Sequence, residues 1–167
     1  LAAPEPFVTG FLTPLLQEFG AHPALAVIDL INEPEWILHA SVPGGYGDKM
    51  EGGRAPVQAD GYRRYVRAAS AAIRTETKGR VRVTIGTSMK HHQTVTDAEI
   101  LPHVDFVEGH WYPWMDFDRR HGLGVWAQDM QQAAGGKPML LGEYPTAGKN
   151  VVPVSQYLRD AQQQGFA

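Results

Sequence analysis

The 167-residue sequence contains no cysteine, which removes disulfide bridges, thiolate metal sites and cysteine nucleophiles from consideration. The redox compartment stays open, because oxidising and reducing settings both tolerate that absence. Positive charge is not in excess: 15 Lys and Arg stand against 18 Asp and Glu, a formal charge of −3. Such a balance offers no basic field for nucleic acid and no polybasic patch for a membrane surface, and it fits a neutral or weakly charged partner. No apolar run approaches the roughly 18 residues of a membrane span. No charged start followed by a long apolar core marks a signal peptide, and the first residue is Leu1 rather than Met, so an excerpt or a processed chain is expected. Repeats and low-complexity segments are also missing. What is present, 43% hydrophobic and 20% charged residues, is ordinary for a soluble globular protein, and the length suits a single domain over 1–167.

The central stretch is Ala24 to Trp36, where an apolar run broken only by Asp29 ends on Asn32 and Glu33 and is stopped by Pro34. It reads as a strand covered on both faces, delivering a carboxylate to its own carboxyl end. Before it, Phe7, Val8, Phe11, Leu12, Leu15, Leu16 and Phe19 follow helical spacing from Pro4 to Phe19, with Gly20 past the end. Pro14 inside that pattern predicts a kink or a later start. From Ile37 to Pro56 no period survives and glycine and proline abound, which predicts a loop of about twenty residues. Val57 to Lys78 reads as the longest helix, with Tyr62, Tyr65, Val66, Ala69, Ala72 and Ile73 on one face and a solvated set of arginines around the rest.

Further strands are predicted at Val81 to Thr87, Val104 to Tyr112 and Pro138 to Tyr144, and further helices at Thr94 to Leu101, Leu123 to Ala134 and Val154 to Gln164. Strands separated by helical crossovers give an α/β fold with a parallel sheet and right-handed connections.

The carboxyl ends of those strands collect Asn32 and Glu33, Thr87 and Ser88, His110 and Tyr112, and Glu143 and Tyr144. In parallel α/β folds this rim is where ligands bind. Glu33 and Glu143 each end an apolar strand, and paired carboxylates are what cleavage of an acetal between sugars requires. One protonates the leaving oxygen, and the other stabilises or attacks the carbon as positive charge develops. A separation of about 5 to 5.5 Å makes the second a nucleophile and retains configuration; about 6.5 to 9.5 Å admits a water and inverts it. His110 and Tyr112 alternate with Trp111, so they share a strand face from which to orient the carboxylates. Asn32 stands ready to meet a sugar hydroxyl. Trp36, Trp114 and Tyr144 are candidate stacking platforms for sugar rings; aromatic residues are more often core, and Trp36 and Trp114, outside the strands, are the better candidates.

Asn32-Glu33-Pro34 and Gly142-Glu143-Tyr144, with His110-Trp111-Tyr112 between them, resemble the fourth, seventh and sixth strand signatures of the clan A retaining glycoside hydrolases, most closely the family 5 cellulases and mannanases. The resemblance implies a (β/α)8 barrel without cofactor, acting on β-linked glucan, mannan or a related β-glycoside. Carried over by position, Glu33 matches the acid/base, Asn32 the neighbour that contacts substrate, His110 and Tyr112 the sixth-strand pair, and Glu143 the nucleophile. It also favours a secreted or periplasmic setting. Counted this way the chain is a partial TIM barrel of about strands four to seven with flanking helices, the carboxyl-terminal half of a catalytic domain. Strands one to three are missing, and the eighth would begin near Gly165. The early-strand arginine or histidine of the family and its eighth-strand aromatic have no counterpart. The missing half is then expected from the rest of a longer chain or from another chain, since an open four-stranded sheet is an aggregation hazard.

Two other classes compete. A degenerate barrel that binds carbohydrate without cleaving it would keep the same rim. A metal-dependent barrel hydrolase would draw on His91, His92, His103, His110 and Glu108, but no His-x-His or His-Glu-x-x-His spacing supports it, and no metal site is expected. Taken alone, Glu33 is equally well an acid favoured by a helix dipole after a strand. A second carboxylate at a second strand end is what moves the reading toward catalysis.

Overall fold

Pro14 removes a backbone N–H from the middle of the first apolar-periodic segment, and the computed structural model shows how the chain absorbs the loss. It describes residues 3–49, 55–88, 91–113, 123–147 and 151–167. Helix α1 (Glu5–Phe7) runs into a π-helical turn, Val8–Leu12, and on into α2 (Thr13–Phe19). The Thr13 N–H reaches back to the Val8 carbonyl, five residues earlier. The wider turn gives the proline ring room against the preceding turn, so the helix continues where a kink or late start was expected. Val8, Leu12 and Leu16 are buried, whereas Phe7, Phe11, Leu15 and Phe19 from the same apolar stripe remain exposed.

Strand β1 (Val27–Asp29) is shorter than the run predicted from Ala24, and it is not covered on both faces: Val27 is 41% exposed. Among the described residues it has a neighbour on one side only, β2 (Arg82–Thr84), which pairs with it in parallel. A 3-10 turn, Pro34–Trp36, follows the rim. The loop predicted from Ile37 contains order of its own, a 3-10 turn at Gly47–Lys49 and a parallel bridge between Leu38 and Val57. Val57, expected to open the long helix, is used in that bridge, and α3 spans Ala59–Glu76 with Tyr62, Tyr65, Val66, Ala69 and Ile73 buried as its period requires.

The predicted strand Val81 to Thr87 divides at Ile85 into β2 and β3 (Gly86–Ser88). The division has a cause in the pairing. β2 bonds to β1, whereas β3 bonds in parallel to β4 (Val107–His110), which bonds in parallel to β5 (Met139–Glu143). Along the run the chain exchanges one neighbour for another, and the Asp29 carboxylate takes the Gly86 N–H at 3.1 Å where ladder pairing to β1 lapses.

Helix α4 (Gln93–Thr96) is a single turn, because Asp97 leaves the helical region at φ −50°, ψ 134°; a separate 3-10 turn at Leu101–His103 completes the segment predicted as one helix. Asp97 is held instead by Arg63 of α3 at 2.9 Å. Helices α5 (Leu123–Ala133) and α6 (Val154–Gln163) keep their predicted extents within a residue. Beyond α6, Phe166 forms a parallel bridge with Met139, and the Ala167 N–H bonds to the Met139 carbonyl at 2.9 Å. The fold is therefore mixed α/β with parallel sheets of two and three strands sharing one extended run. Its core gathers Leu12, Leu16, Tyr62, Val66, Ile73, Val83, Ile85, Val107, Trp126 and Met130.

Candidate active site

Glu33 is placed by a backbone that few residues adopt. Its φ of +45° lies in the left-handed region, which costs a non-glycine residue about 1–3 kcal/mol, and Pro34 after it disfavours the ordinary helical alternative. The conformation is pinned because the Glu33 N–H donates to the Gly86 carbonyl at 2.7 Å. With the chain turned this way both carboxylate oxygens meet N–H donors. The Trp36 indole donates to Oε2 at 2.8 Å, and His110 Nδ1 lies 3.0 Å from Oε1.

His110 ends β4, where the pairing with β5 shifts between Gly109 and His110 so that His110 faces Glu143. Bulges of this kind re-aim side chains, and here one brings the histidine opposite the second carboxylate. The Nδ1 atom is 3.6 Å from Glu143 Oε2. Glu33, His110 and Glu143 each present an atom within 4.8 Å of the others. Tyr112, two residues on, donates its hydroxyl to Glu143 Oε2 at 2.7 Å. Burial, that hydrogen bond and the charges of Glu143 and Glu33 push the Tyr112 phenol up to about 12, so it remains a donor at any physiological pH.

Burial opposes a charge on His110, which is 1% exposed. Glu108 and Glu33, together with the charge of Glu143, outweigh that penalty and raise the ring to about 9. The arrangement sets two carboxylates around one imidazole ring. His91, His92 and His103 join no such cluster among the described residues.

Sequence-predicted residues fall into three groups. Glu33, His110, Tyr112, Glu143 and Trp36 are brought together. Asn32 is exposed beside Glu33. Tyr144 follows Glu143 on the strand and so points to the other face, where its ring stacks on Tyr157 of α6 at 5.6 Å. Trp114 lies outside the described residues.

The structure adds groups that the rim reading passed over. Glu35 is fully buried; its Oε1 accepts the Ser88 N–H at 2.6 Å, while Oε2 has no partner among the described residues. Burial raises its carboxyl above the usual range against the lowering effect of Ser88. Tyr46 and His91 pack edge-on to Trp36 with ring centres 5.7 and 5.6 Å away. Asp29 borders Gly86, and Glu108 borders Gly142 and His110. Asp29 had a visible signal, a lone acid in an apolar run, and so had Glu108, two residues before His110 on the same face. Tyr46, His91 and Glu35 had none, because their relation to the site is made by loops. Compared with protein-family models and with curated proteins, the chain finds no match.

Proposed function

We propose that this chain carries the catalytic rim of a retaining glycoside hydrolase. More particularly, we read it as a partial (β/α)8 barrel of the kind that the family 5 cellulases and mannanases represent, acting on β-linked glucan, mannan or a smaller β-glycoside. The observation that supports this most is the approach of Glu33 and Glu143, from separate strand ends, to within 4.8 Å. An oxygen-to-oxygen approach this short suits the close pair of a retaining site better than the wider pair of an inverting one.

In this reading Glu143 attacks the anomeric carbon and forms a glycosyl ester while Glu33 protonates the departing oxygen. Glu33 then takes a proton from the water that releases the sugar. Tyr112, bonded to Oε2 of Glu143, keeps the carboxylate oriented for attack through Oε1. Trp36 holds Glu33 and offers an aromatic wall, shared with Tyr46 and His91, on the leaving-group side.

The barrel reading also calls for further strands at both edges, from the rest of a longer chain or from another chain. Supporting it are the one-sided pairing of β1 and the parallel bridge of Phe166 beside β5.

Replacing Glu143 with Ala should reduce turnover of an aryl β-glycoside by about 10⁴-fold or more. Azide should restore part of the rate and give a glycosyl azide of inverted configuration, the signature of a lost nucleophile. Activity unchanged in that variant would overturn the assignment.

A further inference from the structure

Glu108 has no part in the two-carboxylate cycle, yet it is placed against the centre of the site. Its side chain is 12% exposed, and its Oε1 lies 3.9 Å from His110 Nε2, an ion-pair contact on the side of the ring opposite to Glu33. Two glycines make the space. A Cβ on Gly142 of β5 would collide with the Glu108 carboxylate, and one on Gly86 of β3 would stand 2.7 Å from His110 Nε2 and 3.0 Å from Asp29 Oδ2. A bare backbone on both neighbouring strands lets an acid and an imidazole lie flat over the sheet where side chains would ordinarily point inward.

The charged and titratable groups facing His110 are Glu33 from beyond β1, Glu143 from β5, Glu108 from its own strand, and Asp29 from β1. Asp29 accepts the Ile31 and Gly86 N–H groups at 3.1 Å each through Oδ1, and its Oδ2 faces the same space over Gly86 as His110 Nε2. Of these, Glu108 is the one that makes an ion-pair contact with Nε2, at 3.9 Å.

We propose that Glu108 is a positioning residue: it supplies the negative charge beneath His110 that keeps the ring an imidazolium, so that its Nδ1–H faces Glu33. The inference rests on the glycosidase reading and deepens it. Before reaction the pair is Glu33 carboxylate and His110 imidazolium. When the Nδ1–H bond breaks, the proton forms an O–H bond on Glu33 and leaves a neutral His110 bearing Nε2–H toward Glu108; the charge of the pair is unchanged. Glu33 gives that proton to the leaving oxygen, and the proton taken later from water restores the pair. His110 is in this way the reservoir for the acid, and Glu108 sets how firmly it holds the proton.

The test uses the full chain labelled with ¹⁵N at histidine, with Glu108→Gln beside the parent. In the parent at pH 7.5, both His110 ring nitrogens should show the shifts of protonated imidazolium; a neutral ring there overturns the proposal without need of any variant. In Glu108→Gln the His110 midpoint should fall by about one unit or more. The alkaline limb of turnover for alkyl or phenyl β-glycosides, whose leaving groups need protonation, should move down in pH by the same amount, with KM little changed and dinitrophenyl β-glycosides nearly unaffected. An active Glu108→Gln protein with an unchanged His110 midpoint, or with the same shift for both substrate classes, overturns the role of Glu108 alone. A parent chain in its assembled form that hydrolyses no β-glycoside overturns the glycosidase reading itself, whatever His110 does.

Discussion

A buried histidine held as a cation ties stability to pH in a definite direction. His110 moves from its ordinary 6.5 to about 9 on folding, since Glu108 and Glu33 outweigh the burial that would lower it. A group raised on folding contributes its full stabilisation below the unfolded value, here below about pH 6.5, and loses it as pH rises through about 9. At 1.36 kcal/mol per unit the contribution is on the order of 3 kcal/mol. Denaturant unfolding of the parent and of His110→Gln should therefore differ most near pH 6 and converge by about pH 10. A constant difference across that range would show that His110 is neutral in the folded chain. The residue types of the site were readable before the structure, because each catalytic candidate is the polar residue at which an apolar strand stops. The charge state of His110 was not readable, since it depends on Glu33 and Glu143, 77 and 33 positions away in sequence, standing beside one ring.

At the scale of elements, strands β3 and β5 contribute what they lack. Gly86→Ala places a methyl 2.7 Å from the His110 ring, which is buried, and 3.0 Å from the Asp29 carboxylate. We expect a loss of about 1–3 kcal/mol, seen as a lowered Tm, with the Glu33 to His110 hydrogen bond broken in the same variant. An unchanged Tm and unchanged ¹⁵N shifts at His110 would contradict that tight packing. Elements with an unbroken period and glycine or proline at their ends, α3, α5, β5 and α6, were legible to within about two residues. Val81 to Thr87 was not. It is one apolar run, but its first half pairs with β1 and its second with β4, and a change of partner leaves no mark on local hydrophobicity. The segment from Thr94 to Leu101 failed for another reason: the chain leaves the helical region at Asp97, whose carboxylate accepts the Glu99 N–H at 2.9 Å and pairs with Arg63 of α3.

For the whole molecule, the apolar side chains left outside the core matter most. Phe7, Phe11, Leu12, Leu15, Leu16 and Phe19 join Leu25, Ile28, Leu30 and Tyr65 around a groove of about 320 Å³ beside the open side of β1. Leu141, Tyr144, Leu158, Ala161 and Phe166 line another of about 320 Å³ beside β5. A sheet open at such edges attracts further strands. By itself the 167-residue chain should bind a hydrophobic dye strongly and sediment as a species larger than its 18.4 kDa mass. A monodisperse monomer that ignores the dye would count against the partial-barrel reading.

The sequence alone determined which polar residues follow which apolar runs and in what order, because the alternation and the breaks at proline and glycine are local properties of the chain. The tertiary structure decided that Glu33 and Glu143 approach within 4.8 Å, that a shift in pairing at Gly109 turns His110 toward them, and that Glu108 sits beneath the ring. Those distances come from strand register and from the partners each strand takes. Both are settled only when segments far apart in sequence pack against one another.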